Sequence, residues 1–174
     1  MLFFNMIKYK IIKNKNIKNN QILSISKLKD SFWRYGIKNQ KIFLRSNTNA
    51  NDLHILAYKN KEIVGYVNLK IKLFIKNDNT KKNKFFLFDG FIVDKLFREI
   101  NIGRNIIKIS KKKSKLLKMP ILLLCKRSIM PFYKKLNFKI IPKKKYHLLN
   151  HQYKGLLMQH NLNLKKINLI KIKF

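Results

Sequence analysis

Apolar positions in this chain change repeatedly between a strand-like rhythm and a helical one. Met6–Lys13 (MIKYKIIK) has the pattern of a first strand, and the Asn/Lys-rich stretch Asn14–Asn20 after it reads as a loop or a weak helix start. Over Gln21–Tyr35 the residues Ile22, Leu23, Ile25, Leu28, Phe32 and Trp33 fall close to helical spacing, which predicts a helix ended by Gly36. Leu53–Tyr58 and Ile63–Leu73 are β-rich runs joined around Asn60, the signature of a hairpin. After the polar loop Lys76–Lys84, Phe85–Val93 (FFLFDGFIV) is almost continuously apolar, as expected of a strand buried on both faces.

The second half repeats the alternation. Ile102–Leu117 is predicted helical, with Ile102, Ile106, Ile109 and Leu116 near one stripe and Lys111, Lys112, Lys113 and Lys115 left to water. Pro120–Cys125 is a buried strand, Ile129–Leu136 a short helix, and Phe138–Ile141 and Gly155–His160 two further strands. Asn161–Phe174 mixes Lys with Ile, Leu and Phe, and its pattern assigns it no element. No internal repeat or Pro/Gly/Ser linker divides the chain, so residues 1–160 are expected to form one domain followed by a basic tail, 161–174. Strands alternating with helices after a hairpin imply an α/β fold, a mixed sheet flanked by helices.

Charge adds less than its size suggests. The formal net charge is +34, from 41 Lys+Arg against 7 Asp+Glu, which would draw the protein toward nucleic acid, anionic membrane or acidic partners. Only Arg34, Arg45, Arg98, Arg104 and Arg127 are arginines, however, and the lysines run along the whole chain together with abundant Asn, Ile and Phe. That is the mark of A/T-rich codon usage, whereas specific nucleic-acid readers concentrate Arg for bidentate contacts. Specific nucleic-acid binding is not expected. No apolar run approaches the ~18 residues of a membrane span, and Met1–Lys10 reads as a strand, not as a signal peptide. The lone Cys125 ends an apolar run as core filler and leans the compartment toward the cytoplasm. His54, His147, His151 and His160 have no metal-ligand spacing with Cys or carboxylates, so no metal is called for.

Chemistry concentrates in Phe88–Phe138. A buried strand ending at Val93 runs through a short loop directly into a helix, and amides at a helix start favour an anion. Gly103 allows close backbone approach there, and Arg98 and Arg104 add charge; an ordinary helix cap would share these features. Downstream lies Pro131–Phe138 (PFYKKLNF). Arg-x-x-Asn-x-Gly at Arg98–Gly103 resembles the Arg/Gln-x-x-Gly-x-Gly/Ala signature of the GNAT superfamily of N-acetyltransferases. Phe132–Phe138 (FYKKLNF) resembles the Phe-Tyr-x-x-x-Gly-Phe of the same superfamily, with one helix and one strand between the motifs, as there. Asn101 and Asn137 stand where the family has Gly; Asn is the side chain that best tolerates the left-handed backbone region.

The resemblance implies a GNAT fold, a central mixed and mostly antiparallel sheet flanked by helices, with acetyl-CoA as co-substrate. It implies that the backbone of Phe91, Ile92 and Val93 pairs with the pantetheine arm and polarises the thioester. It also implies that the amides over Glu99, Ile100, Asn101, Ile102, Gly103 and Arg104, with Arg98, hold the diphosphate, and that Tyr133 protonates the departing thiolate. For a base, Asp89 stands out as a carboxylate inside an apolar strand, where an unpaired charge is costly; it is either the base or a satisfied structural carboxylate.

The partner is an amine acceptor, and the enzyme would be a monomer or a homodimer. Spacing from Leu124 to Tyr133 is similar to that of the acetyltransferase acting on processed actin N-termini and of related bacterial proteins, which implies a protein N-terminus, acidic by charge steering. Cys125–Phe138 also resembles glucosamine-6-phosphate N-acetyltransferases. A basic binding module with a decayed site is the third reading.

Overall fold

Asn60 and Lys61 both adopt left-handed backbone conformations, with φ of 49° and 69°. Two such residues in succession give the tight turn whose twist matches paired strands, and they join Leu53–Lys59 to Glu62–Lys76. The hairpin expected around Asn60 is present in this computed structural model, which describes residues 6–77, 81–149, 153–165 and 168–173. His151 and Asp78 lie outside the described residues.

In chain order the described elements are β1 (Lys8–Lys13), α1 (Asn19–Trp33), α2 (Ile37–Ser46), β2 (Leu53–Lys59), β3 (Glu62–Lys76), β4 (Lys82–Val93), α3 (Ile102–Leu116), β5 (Ile121–Cys125), α4 (Met130–Lys135), β6 (Lys139–Ile140), β7 (Tyr146–Leu149), β8 (Leu156–His160) and β9 (Ile170–Lys173). The pairs β1–β2, β2–β3, β3–β9, β5–β8 and β6–β8 are antiparallel, while β4–β5 and β7–β9 are parallel. The sheet is therefore mixed and mostly antiparallel, in an α/β fold.

Three elements escape the hydrophobic pattern. Gly36, expected to end a helix, is the N-cap of α2 with φ 85°, and α2 buries only Gln40 and Leu44. Its apolar Ile37, Ile42 and Phe43 are exposed, so hydrophobicity does not mark the side that packs. β7 and β9 pair with each other, and β9 also extends along Leu73–Lys76 of β3, so Ile170–Lys173 of the basic tail is strand.

The chain packs as two compact units, Met1–Lys70 with Asp89–Ser110, and Ile71–Phe88 with Lys111–Phe174. In the first, the strand order is β1-β2-β3-β4, so Asp89–Val93 form the terminal strand of that unit's sheet. Its core joins Ile22, Ile25, Leu28 and Leu44 to Leu56, Ile63, Tyr66 and Ile92. On α1, Leu23 and Phe32, expected on the apolar face, are exposed, because the buried stripe runs through Ile22, Ile25, Ser26 and Lys29.

In the second unit Phe74 and Phe85 pack with Leu122, Leu157, Ile170 and Ile172, and Cys125 is buried with its Sγ 3.6 Å from Met158 Sδ. Phe85 and Phe86 are buried on opposite faces of β4 as expected, but Asp89, Gly90, Phe91 and Val93 toward its end are only half-buried. Leu116, expected in the α3 stripe, is exposed, whereas Ser110 and Ser114 are buried. Each serine hydroxyl donates to a backbone carbonyl, Ser110 to Ile106 and Ser114 to Met119. A satisfied hydroxyl is cheap to bury. Lys111, expected in water, donates to the Leu136 carbonyl and lies over the Phe138 ring, 5.0 Å from its centroid. No helix among the described residues is long and apolar enough to cross a membrane.

The first unit also buries a histidine. His54 Nδ1 lies 2.9 Å from the Tyr66 hydroxyl and Nε2 lies 3.0 Å from Asn14 Oδ1. With the amide oxygen accepting, Nε2 carries the proton and Nδ1 accepts from the phenol, so the neutral ring is fully satisfied. Burial, helped by Lys70, lowers His54 from 6.5 to about 4. Between those values the unfolded chain binds a proton that the folded one refuses, so stability is present above pH 6.5 and lost as pH falls toward 4. The loss attributable to this ring is about 3 kcal/mol. Urea unfolding followed from about pH 7 down to about pH 4.5 should show this slope in the wild type and a flatter one in His54→Gln. Equal slopes would assign the acid sensitivity to other groups.

Candidate active site

Asp94 ends β4 and folds its carboxylate back onto the Leu96 amide, 2.9 Å away, while its own amide donates to the Val64 carbonyl at 2.9 Å. A short 3-10 turn, Lys95–Phe97, follows. Arg98 returns its Nε–H to the Val93 carbonyl at 3.3 Å and stands over the Phe32 ring. The loop is thus tied to the strand it leaves. Asn101 has φ 61°, the left-handed conformation expected of it, and its carbonyl accepts the first helical bond of α3, from the Asn105 amide at 3.0 Å.

The amides of Ile102, Gly103 and Arg104 precede that bond and have no helical acceptor. Ile102 is fully buried, Gly103 is half-buried, and Arg104, Glu99 and Ile100 are exposed. With Asp94 engaged and Lys95, Arg98 and Arg104 nearby in sequence, the donor set suits a diphosphate. Ile92 is buried, and Phe91 and Val93 are half-buried on the terminal strand of the unit.

The start of α3 is positioned by Gly65 of β3. A Cβ at Gly65 would stand 2.8 Å from Ile102 Cγ2, 3.0 Å from Ile106 Cδ1 and 3.2 Å from Ala57 Cβ. Only a residue without a side chain lets the helix approach this closely.

Asp89 lies within the same unit, four residues before the end of β4. Its Oδ2 is 2.5 Å from Nζ of Lys70, whose side chain is 8% exposed against 37% for Asp89. Lys29 joins them from the buried stripe of α1 at 6% exposure. Its nitrogen lies 4.8 Å from the Phe43 ring centroid and 5.8 Å from that of Trp33. Burial lowers the Lys29 ammonium below its ordinary value; Lys70 acts in the same direction and Asp89 opposes. Lys29, Asp89 and Gly90 line a cavity of about 470 Å³, closed by Trp33, Tyr35, Asn39, Gln40 and Phe43 of α1, α2 and the turn joining them. Gly90 takes φ +61°, and a Cβ there would come within 3.9 Å of Lys29 Nζ. The cavity and its lysines were not anticipated from sequence. The available signal was Lys29 falling on a helical stripe otherwise made of Ile22, Ile25, Ser26 and Trp33.

Tyr133 lies in the second unit, on α4. It is 6% exposed, edge-on to Phe88, Phe132 and Phe138. Burial raises its phenol well above the ordinary value. Asn137, φ 57°, closes α4: its amide bonds to the Lys134 carbonyl and that of Phe138 to the Tyr133 carbonyl, the paired bonds of a left-handed helix terminus. The second Asn-for-Gly exchange therefore keeps the backbone path as expected.

Neither a family model nor a curated protein sequence matches the chain. Solved structures do. A GNAT family N-acetyltransferase from Escherichia coli in complex with CoA superposes with a TM-score of 0.70 at 11% identity, over 97% of this chain and 91% of that one. An acyl-CoA N-acyltransferase from Pseudomonas aeruginosa gives 0.65 at 11% identity, over 88% and 99%. An acetyltransferase of the GNAT family from Staphylococcus aureus gives 0.62 at 18% identity, over 90% and 100%. The fold is that of the GNAT acetyltransferases.

The Gly65 contact is directly testable. Gly65→Val should destabilise the protein by about 1–3 kcal/mol, the cost of overpacking, read as a lower urea midpoint with unchanged slope. An unaltered midpoint would show that α3 is held by other contacts.

Proposed function

We propose that the protein is an acetyl-CoA-dependent N-acetyltransferase that acetylates a primary amine. The observation that carries this reading is the connection from β4 to α3 within a GNAT fold: a terminal strand, a loop tied back on itself, and a helix start whose first amides have no helical acceptor. When bound, acetyl-CoA would supply an activated acetyl thioester. The backbone of Phe91–Val93 is the edge against which its arm would lie, with an amide there stabilising negative charge on the thioester oxygen. The amides of Glu99–Arg104, with Arg98, would hold the diphosphate.

The proton lost by the amine goes to the cluster of Asp89, Lys70 and Lys29. Tyr133 is the proposed acid for the thiolate. Its raised phenol stays protonated across the physiological range, the form a proton donor needs.

For the acceptor, the reading favoured is an α-amine at a protein or peptide N-terminus. Such an amine has an ordinary pKa of about 7.7–8.0 against about 10.4 for lysine, so more of it is already neutral at pH 7. The net charge of +34 attracts an acidic peptide and repels a basic one.

The deciding experiment incubates the protein with labelled acetyl-CoA and, in turn, an acidic N-terminal peptide, a lysine peptide and glucosamine-6-phosphate at two ionic strengths. Transfer to the acidic peptide, falling with salt, is expected. Transfer only to the amino sugar would replace the acceptor, and fast transfer to the lysine peptide would overturn the charge argument.

Two variants test the roles. Calorimetry should show Gly103→Val weakening acetyl-CoA binding by at least about tenfold, about 1.4 kcal/mol, while the exposed Lys112→Val leaves it unchanged. Equal affinities would remove the diphosphate cradle. Tyr133→Phe should lower kcat about 10²-fold with cofactor affinity retained; full turnover would return Tyr133 to a packing role.

A further inference from the structure

Two lysines, Lys29 and Lys70, and one carboxylate, Asp89, are neighbours in the first unit, and the carboxylate is already engaged. Asp89 Oδ2 stands 2.5 Å from Lys70 Nζ. Lys29, at 6% exposure on the buried stripe of α1, has aromatic rings and the backbone of Gly90 as its neighbours. We infer that Lys29 is the general base of the transfer: Nζ, buried beside the Phe43 and Trp33 rings in the cavity that Asp89 lines, takes the proton of the incoming amine. The inference rests on the acetyltransferase reading above and assigns, within its proton-accepting cluster, the atom that does the work.

The physical case starts from placement. The helical period carries Lys29 to the core side of α1, so its ammonium loses water without gaining a carboxylate of its own, and such a group sheds its proton readily. Charged and titratable groups facing it are Asp89 of β4, which favours the ammonium, and Lys70 and Tyr66 of β3. Lys70 disfavours it, and Tyr66 is a buried phenol kept neutral by burial. From α2 come the uncharged Gln40 and Phe43. The ring faces favour a cation, which lets Lys29 hold the proton once received.

Asp89 balances Lys70 and keeps the cluster from carrying two unopposed cations. In the step itself the acceptor's ammonium nitrogen gives one proton to the Nζ lone pair. Its freed lone pair forms the C–N bond as the C–S bond breaks with the electron pair on sulfur. The acceptor nitrogen sheds its remaining extra proton, the thiolate is protonated, and Lys29 returns its proton to water.

The test has one arm that needs neither co-substrate nor acceptor. The ¹³C shift of Lys29 Cε, assigned by its loss in Lys29→Arg, is followed against pH in the free protein. Titration well below that of the surface lysines is expected; titration together with them would overturn the inference.

The second arm uses the best acceptor of the panel described above. Lys29→Met and Lys29→Arg, both checked for folding by circular dichroism, should each lower kcat about 10²-fold and lose the acidic limb of the pH profile seen in the wild type. Full activity in Lys29→Arg would overturn the base and make Lys29 an anchor for an anionic group. Absence of transfer in the wild type itself would fell the acetyltransferase reading, a result distinct from transfer that survives without Lys29.

Discussion

At Gly65 the sheet and the helix α3 approach until no side chain fits between them, and the course of the loop before the helix follows from that contact. Ile102 and Ile106 lie directly against the strand, with 2.8 Å and 3.0 Å left for a Cβ that is absent. The Asp94 amide bonds to the carbonyl of Val64, the residue just before that glycine. Strand end, loop and helix start are thereby fixed from one side by packing and from the other by hydrogen bonds. A site made of backbone amides needs this kind of support, because it has no side-chain ligands to correct its geometry.

The same unit shows how electrostatics inside a basic protein differ from its net charge. Most of the lysines are on the surface and solvated, where each matters little. Lys29 and Lys70 are buried, and Asp89 is the carboxylate that stands between them. Lys70 is the one paired with that carboxylate, while lost water lowers Lys29 below its ordinary value. His54, enclosed by Asn14 and Tyr66, is governed by the same rule from the other direction: every partner it has is neutral, and the neutral ring is the form they satisfy.

Composition has also reshaped how the backbone makes its turns. The left-handed non-glycine positions among the described residues are Asn60, Lys61, Asn77, Asn101, Lys118, Asn137 and Asn161, all Asn or Lys. Lys118 and Asn137 each close a helix where glycine is the usual choice, with the same paired bonds to the last carbonyls. Asn and Lys accept the strain because the paired bonds at each helix end outweigh it. A chain with only five glycines keeps a fold whose turns call for more.

From the sequence alone came the hairpin at Asn60, the strands β1, β4, β5, β6 and β8, the helices α1, α3 and α4, and the loop before Gly103. Each of these is encoded locally, by a period of two or 3.6 or by a residue suited to a particular φ. The left-handed Asn101 and Asn137 were legible for the same reason. Only the tertiary structure decided the rest. α2 packs through Gln40 and Leu44 and leaves Ile42 and Phe43 exposed, and β7 and β9 are short strands whose pairing joins distant segments, so none of the three was placed by its local pattern. Ser110 and Ser114 replace Leu116 in the buried face of α3 because their hydroxyls find carbonyls, which hydrophobicity cannot foresee. The cluster of Lys29, Lys70 and Asp89 draws on α1, β3 and β4, positions 29, 70 and 89 of the chain. Which lysine holds the carboxylate depends on distances that exist only after folding.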